Sequence, residues 1–299
     1  MPTDKQRNNA FKKTRTAQLR VGLKIRKDTY GEIVKLLKGA EKNLVQALRT
    51  APTDYQAFYL PQVQAEIRNA LKRVEAASAG MVGQAMDKSW QAGIDLVDEP
   101  IAAGGVQIRG ILPAIDTRQL VAMRNFTVDR MRDVSQALAN RISAELGLAM
   151  IGSQNLGDTV SNIQRLFGKQ GRSRALTVTR TELGRAYAVA TQKRLAAAQA
   201  HLPGLKKQWR RSGKTHSRHN HDLADGQIVG ADEKYELITR HGEVIKIDHP
   251  RDPKAPKDET INCGCESLPY MESWEVKTPG AKPLSAQEQL RRQASSAAA

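Results

Sequence analysis

Along most of the first 201 residues, apolar side chains recur three and four positions apart, and the recurrence stops at Pro203. A period near 3.6 sustained over such lengths is met by amphipathic helices packed on one another, so core formation is the plain meaning of these stripes. Ile33, Leu37, Leu44 and Leu48 fall on one face, with Lys35, Lys38 and Lys42 elsewhere. "APTDYQAFYLPQ" interrupts the pattern, and Val63, Ile67, Leu71 and Val74 restart it towards Trp90. "VDEPIAAGGVQIRGILP", with two prolines and three glycines, predicts a long loop. Asp116 followed by Gln119 predicts a capping box at the start of the next helix. That helix carries Met131, Val134, Leu138, Ile142 and Leu146, and "IGSQNLGD" ends it. A short helix to Phe167, the break "GKQGRSR" and a strong helix from about Arg172 to His201 complete the helical part.

Beyond Pro203 the character changes. "DEKYELITRHGEVIKIDHP" places β-type residues on both sides of a His-Gly pair and predicts a hairpin. Pro250, Pro253, Pro256 and Pro269 punctuate an irregular stretch. Aromatics are 4% of the chain, so helices packed through Ala, Leu, Val and Ile are expected rather than an aromatic core. The expected class is α+β: a long, mostly α-helical N-terminal region followed by a compact C-terminal α+β domain with a β-hairpin. The expected divisions are a basic arm over 1–27, a helical region over 28–150, a domain over 151–276 and a flexible tail over 277–299.

The formal net charge is +16, and the first 50 residues hold 13 Lys or Arg against 4 Asp or Glu. Such an excess suits a polyanionic partner and says nothing about fold. Apolar residues are sparse between Lys5 and Lys27, which reads either as a solvated, partly disordered arm or as a nucleic-acid contact. The N-terminus has no apolar run of the kind a secretory signal needs, and no stretch of some 18 apolar residues predicts a membrane span. Two cysteines in C-x-C spacing make no disulfide framework and fit a reducing cytosol.

All six histidines and both cysteines lie between His201 and Cys265, which singles out that segment for chemistry. The literal string His219-Asn220-His221 is no nuclease signature, because three adjacent side chains cannot converge on one metal. Cys263 and Cys265 with two of His216, His219, His221 and His249 could supply four ligands to zinc. Equally, the cysteines could flank Gly264 on a β-turn and pack as small buried hydrophobes. Cys-His nucleophilic catalysis needs a base within reach and an oxyanion site, and a sequence shows neither. In "LKKQWRRSGKTHSRH", Lys206, Lys207, Arg210, Arg211, Lys214 and Arg218 could grip phosphates, or could form a solvated face.

The order of motifs is more telling than any one of them. Arg180, Thr181 and Glu182 open "RTELGRAYAVATQKR"; Trp209 follows; then Arg218, His221, Asp225, Gly226 and Gln227 form R-x-x-H-x-x-x-D-G-Q. "HPRDPKAPKDETINCGC" closes the set with Asn262, Cys263 and Cys265. Over about residues 150 to 270 this resembles the phage head morphogenesis domain of the Mu F-like minor head proteins of tailed phages. Ala224 stands where that family usually has Leu, and Gly264 where Arg often separates the cysteines.

The resemblance implies a minor capsid protein with no catalytic residues, present in few copies in the virion, in the head interior or at the portal vertex. It implies head morphogenesis in the host cytoplasm, with portal protein and capsid interior as partners. Contact with packaged double-stranded DNA, or passage with it during ejection, is the further expectation. Asp225 and Gly226 would then be a fold-defining turn, and His221 would close the domain against Cys263 and Cys265. No cofactor is required, and a zinc held by His221, His249, Cys263 and Cys265 would be structural. The alternative is a phage-delivered enzyme, nuclease or toxin-like, with a His/Cys centre inside residues 200–270; the chain ends some 20 residues after "SWEV", so no appended catalytic domain is expected.

Overall fold

A computed structural model describes residues 2–50, 56–108, 111–213, 217–239 and 241–274. The tail expected over 277–299 lies outside these residues, as do residues 51–55 of the interruption expected after Thr50; from Gln56 on, that stretch is helical instead. Five helices come first: α1 (Asp4–Arg49), α2 (Gln56–Ala103), α3 (Arg118–Met150), α4 (Leu156–Leu166) and α5 (Ser173–Gln199). A six-residue π-helical turn, Phe167–Arg172, joins α4 to α5 where the sequence predicts a break. Then come β1 (Leu205–Arg210), α6 (His219–Leu223), β2 (Ile228–Gly230), β3 (Tyr235–Ile238), β4 (Val244–Ile247), α7 (Lys257–Thr260) and β5 (Glu266–Met271). The class is α+β, with helices first and small antiparallel sheets last.

The predicted stripes form the main core. Ile33, Leu37, Leu44 and Leu48 of α1 meet Val63, Ile67, Leu71 and Val74 of α2 and the Met131–Leu146 stripe of α3. Three sequence expectations need correction. Residues 4–27 are not a loose arm but the first half of α1, opened by a reciprocal Thr3–Gln6 capping box. Phe11, Leu19, Gly22 and Arg26 continue its buried stripe, too widely spaced among charges to be conspicuous in the sequence.

The predicted loop after Val97 instead continues α2 through Pro100 to Ala103, and the chain turns at Gly105 with φ +91°. Buried contacts outweigh the hydrogen bond lost at Pro100: Val97 and Ile101 are fully buried, and Asp98 takes a bidentate bond from Arg194 at 2.6 and 2.7 Å. Finally, Asp116 accepts from the Arg118 N–H at 2.9 Å, but the N-cap is Thr117 without a side-chain bond, so no Asp116–Gln119 box forms.

The sheet order is β2-β1-β5, all antiparallel, with Leu205 opposite Met271 and Arg210 opposite Glu266. The predicted hairpin is β3–β4, turning at Gly242 with φ +82°. The helical part and the sheets interlock at one buried ionic bridge. Glu266 on β5 accepts from Arg26 of α1 and from Arg251, each at 2.6 Å. Gly184 on α5 makes room for both guanidiniums, since a Cβ there would lie 2.8 Å from Arg251 Nε and 2.9 Å from Arg26 Nη1.

Candidate metal centre

Strand alternation sets the floor of the site. On β1, Leu205, Lys207 and Trp209 point inward, and Lys206 and Arg210 do not. The Trp209 indole donates to the His221 carbonyl at 3.1 Å and meets the His221 and Tyr235 rings edge-on, at 5.4 and 5.3 Å. The backbone of Trp209 pairs with Gly226 and Gln227, and Gly226 has φ +86°. The Asp225 N–H bonds the Asp222 carbonyl at 3.2 Å, while its carboxylate reaches across to accept from the Arg211 N–H at 2.9 Å. This turn delivers the chain out of the one-and-a-half-turn helix α6, whose buried residue is His221.

The opposite wall comes from "KDETINCGC". Pro256 starts α7, which carries Glu259 inward. Thr260 to Cys263 then form a type II turn: Ile261 is extended, Asn262 has φ +59°, and the Cys263 N–H bonds the Thr260 carbonyl at 3.2 Å. The turn thus sits one step before the Cys-Gly-Cys where it was expected, with Asn262 rather than Gly264 left-handed. Thr181 of α5 fixes it by accepting from the Asn262 N–H at 3.0 Å, and Arg251 binds the Cys263 carbonyl at 2.9 Å.

The two walls bring His221, Cys263 and Cys265 together, with their ligand atoms within 4.8 Å of one another and all three residues buried. Each sulfur lies 3.5 Å from His221 Nδ1. His221 Nε2 is 2.8 Å from Glu259, which also accepts from Asn220. The carboxylate places the ring proton on Nε2 and leaves one lone pair on Nδ1. One lone pair cannot bond two thiols equally, but a cation between the three atoms can be held by all of them. The Cys265 thiol, donating to Cys263, draws Cys263 well below its ordinary pKa, with help from His221 and Arg251 against burial. The same bond, with burial, pushes Cys265 up. Two thiol sulfurs and an imidazole nitrogen this close together are a donor set that can bind a metal ion.

Beside the trio lies a cleft of about 320 Å³. It is lined by His221 and Cys265 together with Arg180, Arg218, Ser212 and Ser217. Arg218 also donates to the Ile261 carbonyl at 2.7 Å. Glu182 lies elsewhere, buried and paired with Arg185 at 2.6 Å.

Two expected sets are revised. His249 is not a fourth ligand: it is buried with Nδ1 3.0 Å from the Pro250 carbonyl, and burial lowers its pKa. His216 and Lys214 lie outside the described residues. The phosphate-gripping set does not form one surface. Lys207 is fully buried, bonded to Gln192 and to the Asp248 carbonyl, and burial lowers it to about 8. Lys206 pairs with Glu272 at 2.8 Å, and Arg211 lies 3.6 Å from Asp225. Of the remaining described members, Arg210 is exposed and Arg218 half-buried. Sequence reading missed Glu259, Arg251 and Glu266; the first two stand inside the closing motif, where their charge made them look like surface residues.

No family model matches the chain, and no solved structure matches it. A curated relative, the uncharacterized protein YqbB of Bacillus subtilis (strain 168), is 36% identical over 104 residues, which is 34% of this chain. The chain matches 32% of that relative's length, about a third of it.

Proposed function

We propose that the chain is a minor head protein of a tailed phage, associated with the portal and acting in head morphogenesis, whose C-terminal unit is closed by a structural zinc. One observation carries the reading: residues that resemble the head morphogenesis motifs in order also depend on one another in space. Thr181 holds Asn262, Trp209 holds His221, Arg218 holds Ile261, and His221 faces Cys263 and Cys265. Such mutual dependence is what a scaffold motif requires and what a chance succession of residues lacks.

The distances favour zinc. A tetrahedral zinc, with Zn–S about 2.3 Å and Zn–N about 2.0–2.1 Å, sets nitrogen and sulfur ~3.5 Å apart. Both sulfur–nitrogen pairs here measure 3.5 Å. The ion would supply folding free energy to a unit with little apolar core, and Glu259 would orient the histidine. The net charge of +16 suits a protein enclosed with DNA and accompanying it on ejection.

The test is a protein count on purified particles, comparing DNA-filled heads with heads that have ejected. A few copies per full head are expected, with loss on ejection marking passage with the DNA. Absence from both kinds of head sinks the virion reading. A second reading has its own observation: the Glu259–His221–Cys265 order, opening on a cleft, is also that of a thiol hydrolase. It requires His221→Ala to stay folded while losing activity, whereas the scaffold reading requires the unit to unfold.

A further inference from the structure

We infer that the metal held by His221, Cys263 and Cys265 keeps its fourth position open, and that a phosphate-type oxyanion fills it from the cleft beneath Arg180 and Arg218. The inference rests on the metal reading given above. Among the described residues the donor group contains three members and no fourth His, Cys, Asp or Glu. Glu259, which orients His221, is occupied with its Nε2 at 2.8 Å and with Asn220 at 3.1 Å. A tetrahedral ion with three protein donors takes its fourth ligand from solution, so a zinc that staples the fold through these three keeps one exchangeable position.

The cleft lies where that ligand must enter. Its lining includes two of the three donors, His221 and Cys265, so it abuts the ion rather than lying nearby. The rest of its lining supplies two guanidiniums, two serines and no carboxylate. Charge makes the class of ligand specific. Two thiolates neutralise a divalent ion, so the centre alone offers an anion little attraction. Arg180 and Arg218 restore two positive charges, which matches a dianionic phosphate and the forked donor geometry that guanidinium presents to it. A space of about 320 Å³ admits a phosphate and part of the group it is attached to, but not a duplex. The source is therefore free phosphate or the terminal phosphate of a nucleic-acid strand.

Cobalt substitution of the full chain tests this. The protein is loaded with Co(II), freed of excess metal and titrated with inorganic phosphate while its visible spectrum is recorded. The expected result has three parts. A thiolate-to-cobalt charge-transfer band is present; phosphate shifts the ligand-field bands saturably; and Arg180→Gln weakens that titration at least tenfold with the charge-transfer band unchanged. A charge-transfer band with ligand-field bands that phosphate does not move means a protein donor closes the site, which overturns the inference and leaves the metal centre standing. No charge-transfer band at all overturns the metal reading itself. Equal titration of Arg180→Gln and the parent removes the cleft from the explanation and overturns the inference too. A dinucleotide with and without a 5′-phosphate then separates the sources: tighter binding than inorganic phosphate, lost without the terminal group, assigns nucleic-acid ends, and weaker binding assigns free phosphate.

Discussion

Among the described residues, twenty apolar side chains spread over α1 to α5 and the π turn form the largest core of the helical part, whereas the core around Trp209 has seven members, two of them the cysteines. In the first, stabilisation is distributed: each Leu or Ile adds its own burial, and neighbours can shift to absorb a change. In the second it is concentrated in a few polar contacts: His221 with Glu259, the Cys263 carbonyl with Arg251, Asn262 with Thr181 and Thr177. Small irregular units cannot bury enough apolar surface to hold themselves and need a staple. The two regions should therefore fail in different ways, gradually in one and all at once in the other.

The strongest way to break the comparison is to remove the staple. Chelation, or His221→Ala, is expected to unfold the region after Pro203 and leave α1 to α5 helical. Far-UV circular dichroism would then fall only slightly while the fluorescence of buried Trp209 shifts to the exposed value. Loss of the whole helical signal would mean that the two regions form one cooperative unit. Glu266→Gln comes next. It leaves Arg26 and Arg251 buried with only a neutral amide between them, at a cost of about 3–5 kcal/mol. Because Arg26 belongs to α1, amide exchange should accelerate in the first half of α1 as well as in β5; acceleration in β5 alone would show that the bridge does not couple them.

Leu138→Ala in α3 is expected to cost about 2–4 kcal/mol in denaturant unfolding. It should not change metal binding, and a changed metal affinity would contradict the separation drawn here.

The smallest effect concerns Lys207, whose folded pKa is lowered to about 8 by burial. Between that value and its ordinary one the unfolded chain binds more protons than the folded one, so stability rises with pH. The gain from pH 8 to pH 9.5 is about 1–2 kcal/mol. Lys207→Met should flatten that slope, and an unchanged slope would show that Lys207 stays charged when buried.

How much of this was legible in the sequence follows the same division. The stripes of α1, α2 and α3 and the β3–β4 hairpin could be read, because periodic burial leaves a periodic record. The first half of α1 could not, since Phe11, Leu19, Gly22 and Arg26 are scattered among lysines and arginines and one of them is itself an arginine. Nor could Lys207: it occupies the inward phase set by Leu205 and Trp209, but lysine carries the signature of the outward one. For the site, the motif placed His221 beside the two cysteines. It named His249 as the next partner and missed Glu259, because that depends on which way α7 and the "HPRDP" segment turn.

The first turns of α1, opened by the Thr3–Gln6 capping box, bear on how the molecule is made. The slot above Gly104 is filled by the Trp274 indole, which also bonds Asn8 at 3.0 Å and meets the Phe11 ring edge-on at 5.7 Å. Arg15 likewise donates to the Pro269 carbonyl at 2.9 Å. The opening turns of α1 thus find their partners more than 250 residues later. During synthesis those turns emerge long before β5, and until β5 arrives they expose the apolar and basic face meant for it. A chaperone, or another copy waiting at the same stage, would meet the protein at that face.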